Sequence, residues 1–122
     1  MAHSALHFSA GMALGTVAAL PPLVRRAARG EITLSRSFTV WFAASYACGA
    51  WAIVPALLRR LGVPEGVCDS AWMNVFFLHP WLNRVKPGGA TMGPLVLAAF
   101  LGAQYLCLLA ALAWVTLRKP RG

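Results

Sequence analysis

Three long stretches without a charged side chain constrain this chain more than any other feature of its sequence. They are residues 5–24, 38–58 and 95–117, and each contains 20 or more residues. About 20 helical residues span the roughly 30 Å of hydrocarbon in a bilayer. Hydrophobic residues make up 59% of the chain, against about 45–50% in a typical soluble domain. The sequence therefore predicts an all-α integral membrane protein, with a single membrane domain over residues 1–122.

The distribution of Lys and Arg residues predicts how three spans are oriented. With three crossings, seven basic residues fall on one side of the membrane: Arg25, Arg26, Arg29, Arg36, Arg118, Lys119 and Arg121. Four fall on the other side: Arg59, Arg60, Arg84 and Lys86. Lys and Arg are enriched in cytoplasmic loops. We therefore expect the amino terminus outside and the carboxyl terminus in the cytoplasm, in the bacterial inner membrane.

A fourth crossing over residues 67–85 is the alternative topology. Its uncharged core, residues 70–83, has 14 residues, fewer than the about 17 of the shortest spanning helices. Four crossings also lower the bias of basic residues to six against five, so three spans are preferred. The aromatic-rich residues 70–83 are then expected to form an interfacial or re-entrant helix. Such a helix could cover the outer mouth of the bundle or dock on a partner.

Small residues recur at a spacing of four along the first span. Gly11, Gly15 and Ala19 fall on one helix face, and such a face lets two helix backbones approach closely in lipid. We predict that these three residues pack against another helix, within the chain or in a neighbour. The third span carries a similar stripe: Ala99, Ala103, Cys107 and Ala111. Its one strongly polar central residue, Gln104, is expected to form an interhelical hydrogen bond.

Prolines predict where the spans bend or end, because proline lacks the N–H that a helical hydrogen bond needs. Pro21 and Pro22 lie near the end of the first span, and we expect them to kink or end that helix. Pro55 is expected to kink the last turn of the second span. The third helix is expected to start behind Gly93 and Pro94.

Two tryptophans of the second span are predicted to lie in different environments. Trp41 is near one end of the span, and an indole near a span end prefers the headgroup level. Trp51 lies deeper in the span, so we expect it to pack against another helix.

Two histidines, His7 and His79, are the candidate cofactor-binding residues. His7 follows His3 by four residues, so both share a helix face and could bind a metal, or one could be an axial haem ligand. The alternative is that water and headgroups solvate them near the chain start. His79 is expected to be a polar contact of the interfacial helix, or a contact to haem, quinone or pigment. Without such a contact, no cofactor and no metal are expected.

The segment from Ser4 to Gly11 resembles the start of the first helix in the cytochrome b membrane anchors of succinate dehydrogenase. Those anchors have three spans and about this length, and a Ser-x-Leu-His-Arg-x-x-Gly pattern lies near their quinone site. Ser4, Leu6, His7 and Gly11 match that pattern, and the match implies a quinone near His7. Phe8 replaces the arginine, and the haem histidine of the second helix has no counterpart, so the chain is not assigned to this family.

Catalysis and nucleic-acid binding are not expected. The only acidic residues, Glu31, Glu65 and Asp69, lie outside the three stretches, and the sequence contains no paired carboxylate, HExxH motif or phosphate-binding glycine loop. The basic residues flank the spans in groups of two to four, without the basic face that nucleic-acid binding requires. Contact with anionic lipid headgroups accounts for them, at about 1 kcal/mol per basic residue.

These features predict a small, non-catalytic accessory subunit of a larger membrane complex. Such subunits are common in respiratory and photosynthetic electron-transfer assemblies, so we expect a complex of that kind. The partners would be other membrane subunits and anionic lipids. One alternative is a redox anchor that binds haem or quinone through His7 or His79. Another is a homo-oligomeric membrane protein that packs through the glycine face of the first span.

Overall fold

The computed structural model describes residues 2–76 and 89–118, and every regular element among them is helical. The helices in chain order are α1 (Ala2–Ala28), α2 (Leu34–Ala52), α3 (Val54–Arg60), α4 (Glu65–Cys68), a 3₁₀ helix (Ala71–Val75) and α5 (Gly89–Arg118). Two of them, α1 and α5, are long and apolar enough to cross a membrane. If α2 and α3 form one bent span, the number is three. The all-helical prediction is therefore confirmed for the described residues.

The first helix continues past its prolines, so of the two expected effects, a kink or a helix end, the helix end is wrong. Pro21 and Pro22 lie inside α1, which runs to Ala28. Both prolines are exposed, so their rings lie on the outside of the bundle and do not enter the contact with another helix. A helix can accommodate proline when the freed backbone groups find other partners.

Glycine ends α1 and α3 in the same way. Gly30 has φ 71° and Gly62 has φ 93°, in the left-handed region that glycine adopts without steric cost. The N–H of Gly30 donates to the carbonyl of Ala27 at 3.0 Å, and the N–H of Glu31 donates to that of Arg26 at 2.9 Å. This pair of hydrogen bonds is the Schellman motif that closes a helix. Gly62 and its successor form the same pair of bonds at the end of α3.

The break between α2 and α3 lies where Pro55 predicts a kink. The two helices meet at Ile53 at an angle of 41°, and Pro55 is in the first turn of α3. Proline removes one helical hydrogen bond and its ring clashes with the preceding turn, so the helix axis changes direction there. The predicted kink of the second span is confirmed. The start of α2 is capped by Thr33, whose hydroxyl accepts a hydrogen bond from the N–H of Arg36 at 3.4 Å.

The last helix begins earlier than predicted. Pro94 lies inside α5, which starts at Gly89 and not behind Gly93 and Pro94. Pro94 is the sixth residue of this helix, beyond the first four whose N–H groups lack an intrahelical partner, and a helix accommodates such a proline when the freed backbone groups find other partners. The end of α5 at Arg118 agrees with the basic residues that close the third uncharged stretch.

The central element of the bundle is α1, which packs against both α2 and α5. The contact with α2 is the more extensive of the two. On α5, the side chains that are buried or partly buried recur every three or four residues: Gly93, Leu97, Phe100, Gln104, Leu108 and Ala111. This spacing corresponds to a single helix face, and the other faces of α5 are exposed.

Residues 61–76, called here the connecting segment, fold against the bundle. Cys68 and Met73 are buried in it, and it contains α4 and the 3₁₀ helix. The prediction of one aromatic helix over residues 70–83 is therefore corrected for residues 71–75, which form a 3₁₀ helix. The rest of that predicted helix lies outside the described residues, apart from Phe76.

Candidate functional site

The closest contact between helices lies between the glycine face of α1 and α2. A Cβ atom built on Gly11 would overlap the carbonyl oxygen of Cys48, and one built on Gly15 would lie 2.6 Å from that of Ala44. Any Cβ is excluded at these distances, so only glycine permits this approach. The two helix backbones touch directly, as small-residue faces allow.

The α2 side of this contact is also built from small residues. Ser45, Gly49 and Ala52 are its buried residues. A Cβ atom on Gly49 would lie 3.0 Å both from Met12 and from the ring of Phe8, so side chains of α1 fill the space that Gly49 leaves. The third predicted member of the glycine face, Ala19, is partly buried.

A chain of hydrogen bonds crosses the same contact. The indole Nε1 of Trp41 donates to Oγ1 of Thr16 at 3.0 Å, and the hydroxyls of Thr16 and Ser45 lie 2.7 Å apart. Trp41 is thus part of the helix contact, and its expected place at the headgroup level stays a prediction. Thr16 and Ser45 were missed by the sequence analysis, although a hydroxyl beside a small-residue face is a known signal of interhelical hydrogen bonding.

The second tryptophan anchors the connecting segment. Nε1 of Trp51 donates to the carbonyl oxygen of Val75 at 3.1 Å, and its ring lies 4.9 Å from that of Phe76. Val75 is the last residue of the 3₁₀ helix, so the prediction that Trp51 packs against another helix is confirmed, with a short helix of the connecting segment as the partner. Arg59 adds two ion pairs to the same segment, with Glu65 at 3.4 Å and Asp69 at 3.1 Å.

Gln104 lies on the inward face of α5, but it forms no hydrogen bond with the described part of the chain. The side chain is 4% exposed, and neither its amide oxygen nor its amide nitrogen has a hydrogen-bond partner there. The expected interhelical hydrogen bond of Gln104 is therefore not present among the described residues. A buried amide in this state costs free energy, because it has lost its contact with water.

Of the two candidate cofactor-binding histidines, the structure describes His7. His7 is 2% exposed, within the α1 face of the bundle, and is not solvated as the interfacial alternative expected. His79 lies outside the described residues. Among residues 2–76 and 89–118, no three His, Cys, Asp or Glu side chains are grouped closely enough to hold a metal ion.

The small residues of α5 are placed differently from those of α1. Ala99, Ala103 and Cys107 are exposed, and Ala111 is partly buried. A Cβ atom on Gly102 would meet no atom within 4 Å. In the most apolar 18 residues of α5 only 6% are buried inside the chain, against 33% in α1. The described chain thus leaves small residues of α5 uncovered, beside large exposed apolar side chains such as Leu101, Tyr105 and Leu106.

Comparisons of the chain with protein-family models, with curated proteins and with solved structures found no match.

Proposed function

We propose that this protein is a multi-pass membrane protein that serves as a non-catalytic accessory subunit of a larger membrane complex. In this proposal α1, the bent pair of α2 and α3, and α5 cross the bilayer. The amino terminus is outside, and the carboxyl terminus is in the cytoplasm. The connecting segment then lies at the outer surface, where Trp51 and Arg59 hold it against the second span.

The uncovered outward face of α5 is the observation that carries this proposal. Lipid tails are as apolar as leucine, so helices associate in a bilayer through close packing of small residues and not through a hydrophobic driving force. The contact between α1 and α2 already uses that mechanism inside the chain. The outward face of α5 offers the same kind of surface at Ala99, Gly102 and Ala103, without a covering helix in the chain's described part.

The parent complex is proposed to be a respiratory or photosynthetic electron-transfer assembly. Small subunits of this kind hold neighbouring subunits, lipids or cofactors in such assemblies. The large excess of basic over acidic residues supports anionic lipids as additional partners, since each basic residue near such a surface contributes about 1 kcal/mol.

Purification of the tagged chain from its own membranes in a mild detergent tests the proposal. We expect one or more other membrane subunits to copurify at a fixed stoichiometry. Gly102→Leu places bulk on the outward face of α5 and should release them. The control Val17→Phe adds bulk at an α1 position that is 70% exposed, and should retain them. A monomer or a pure homo-oligomer, with no other subunit at fixed stoichiometry, would contradict the proposal.

A redox anchor that binds haem or quinone is the second candidate, because Ser4, Leu6, His7 and Gly11 match the pattern described above. His7 is 2% exposed, so its neighbours would have to move for a cofactor to reach the imidazole. The visible absorption spectrum of the purified complex tests the haem form. A Soret band that disappears in His7→Gln would support it, and a spectrum without that band would exclude it.

A further inference from the structure

Three arginines lie on one side of α1 where that helix ends. Arg25 and Arg26 are in its last turn. The N–H of Arg29 donates to the carbonyl oxygen of Arg25 at 3.2 Å, so Arg29 continues the helical course. At about 3.6 residues per turn, the three positions fall within about 100° around the helix axis. All three side chains are exposed, and together they form a surface of like charge, called here the arginine cluster.

The fold brings one acidic residue, Glu31, to the arginine cluster. One carboxylate oxygen lies 3.8 Å from Nε of Arg26, and the other lies 3.6 Å from Nη1 of Arg29. Both distances exceed the about 2.7–3.2 Å of an N–H···O hydrogen bond, so Glu31 attracts these guanidinium groups without occupying their donors. Arg25 has no ion pair in the described part of the chain. The cluster therefore keeps a net charge of +2, from three arginines and one glutamate.

The arginine cluster lies directly beyond the first uncharged stretch. That stretch ends at Val24, so a membrane that α1 crosses has its headgroups at the level of the cluster. Guanidinium groups pair with phosphate through two parallel hydrogen bonds. The cluster covers about 6 Å of helix from Arg25 to Arg29, which suits a single headgroup. Nucleic acid is not the occupant, because three arginines provide fewer contacts than the about 6–10 phosphates that a DNA-binding protein neutralises.

We infer that the arginine cluster binds the phosphate of an anionic phospholipid, and that Glu31 limits this binding by competing for Arg26 and Arg29. A phosphate in the cluster replaces the carboxylate as the counter-ion of those two arginines and also reaches Arg25. Soluble phosphate has the same chemistry, but the lipid is the source here, because the arginines directly follow the span. The inference rests on the membrane placement in the proposed function and gives its lipid partner a site, but it requires no partner subunit.

Native mass spectrometry of the purified chain with added lipid tests this site. The probes are phosphatidylglycerol, which is anionic, and phosphatidylcholine, which has no net charge. We expect phosphatidylglycerol to bind more tightly, and Arg25→Gln to lower its affinity about fivefold, the effect of one basic residue near a lipid surface. Glu31→Gln should raise that affinity by a similar factor. The matched control is Glu65→Gln, which removes the same charge beside Arg59. Arg59 keeps Asp69 as its counter-ion, so the affinity should not change.

Several results would overturn the inference. Equal increases in Glu31→Gln and Glu65→Gln would show that the net charge of the chain decides binding, and not the cluster. Equal binding of the two lipids, or unchanged affinity in Arg25→Gln, would show that the cluster holds no headgroup. Displacement of the lipid by an equal concentration of inorganic phosphate would place the source of the anion in solution. Arg25→Lys keeps the charge and should keep the preference for phosphatidylglycerol, which separates loss of charge from loss of fold. Loss of partner subunits in Gly102→Leu is a separate result, so the two proposals can fail independently.

Discussion

The two contacts that α1 makes are built on different principles. Toward α2 it presents glycines, the backbones touch, and Thr16 links Trp41 to Ser45 by hydrogen bonds. Toward α5 it meets one stripe of mostly apolar side chains that includes Gln104, whose amide has no partner among the described residues. The first contact fixes the register of two helices, because backbone contact and hydrogen bonds both depend on exact position. The second holds α5 in place and leaves its other faces open.

This difference separates the parts of the chain that maintain the fold from the parts available for binding. Substitutions in the contact between α1 and α2 should change stability. Substitutions on the outward face of α5 should change association and leave stability unaltered.

The largest effect is expected for Gly15→Leu. A Cβ atom at this position would lie 2.6 Å from a carbonyl oxygen of α2, and a backbone cannot give way as a side chain can. We expect a loss of at least about 3 kcal/mol in the free energy of unfolding, measured by titration with SDS in mixed micelles. The matched control is Gly66→Leu, where a Cβ meets no atom within 4 Å. Equal losses in both variants would show that α1 and α2 are not in backbone contact.

A smaller loss is expected for Thr16→Val, which keeps the shape of the side chain and removes its hydroxyl. Trp41 and Ser45 then lose their shared partner. Interhelical hydrogen bonds in membranes contribute about 0.6–2 kcal/mol each, so we expect a loss of about 1–2 kcal/mol. A double-mutant cycle with Ser45→Ala measures the coupling between the two hydroxyls. Additive effects would mean that this hydrogen bond does not stabilise the fold.

In the contact between α1 and α5, one substitution is expected to raise the free energy of unfolding. Gln104→Leu replaces a buried amide, unpaired among the described residues, by an apolar group of similar size. An unsatisfied buried polar group costs about 1–3 kcal/mol, so we expect the variant to be more stable by about 1 kcal/mol. Equilibrium unfolding in mixed micelles measures this difference. A clear destabilisation would show instead that Gln104 holds a hydrogen bond that fixes α5.

The smallest effect is expected at the connecting segment. Arg59→Gln removes the ion pairs with Glu65 and Asp69, and both acids are exposed. Exposed ion pairs contribute about 0–1 kcal/mol, so stability should fall by less than 1 kcal/mol and the loss should shrink as salt is added. Protease sensitivity of the segment gives a second measurement. A loss above about 2 kcal/mol would indicate that the segment is part of the core.

The sequence predicted those features that depend on composition and local spacing. The apolar stretches, the kink at Pro55 and the small-residue face of α1 all follow from residues that are near one another in the chain. The residues that contact one another across helices could not be predicted from the sequence, because those contacts depend on how each helix is rotated about its axis. Thus the hydrogen bonds of Trp41 to Thr16 and of Trp51 to Val75 could not be predicted from the positions of the two tryptophans in the span. The start of the last helix behind Pro94 was wrong, because α5 begins at Gly89, and α1 does not end at Pro21 and Pro22.

In the candidate site, too, local spacing could be predicted from the sequence and contacts between helices could not. Small-residue stripes were visible on both α1 and α5, yet the sequence cannot show which stripe another helix of the chain covers. The structure places α2 on Gly11 and Gly15, and leaves Gly102 open. Self-association through the glycine face of α1 would therefore require α2 to move away, so a neighbour is better accommodated on α5.

Gly102→Leu tests the central claim most directly, when its unfolding free energy and its copurifying subunits are measured on the same preparation. Because a Cβ at Gly102 meets nothing in the described chain, the free energy of unfolding should stay the same or rise by up to about 1 kcal/mol, since leucine favours a helix interior more than glycine does. The partner subunits should be lost. Retained partners, or a fold destabilised as strongly as in Gly15→Leu, would contradict the assignment of α5 as the surface for association.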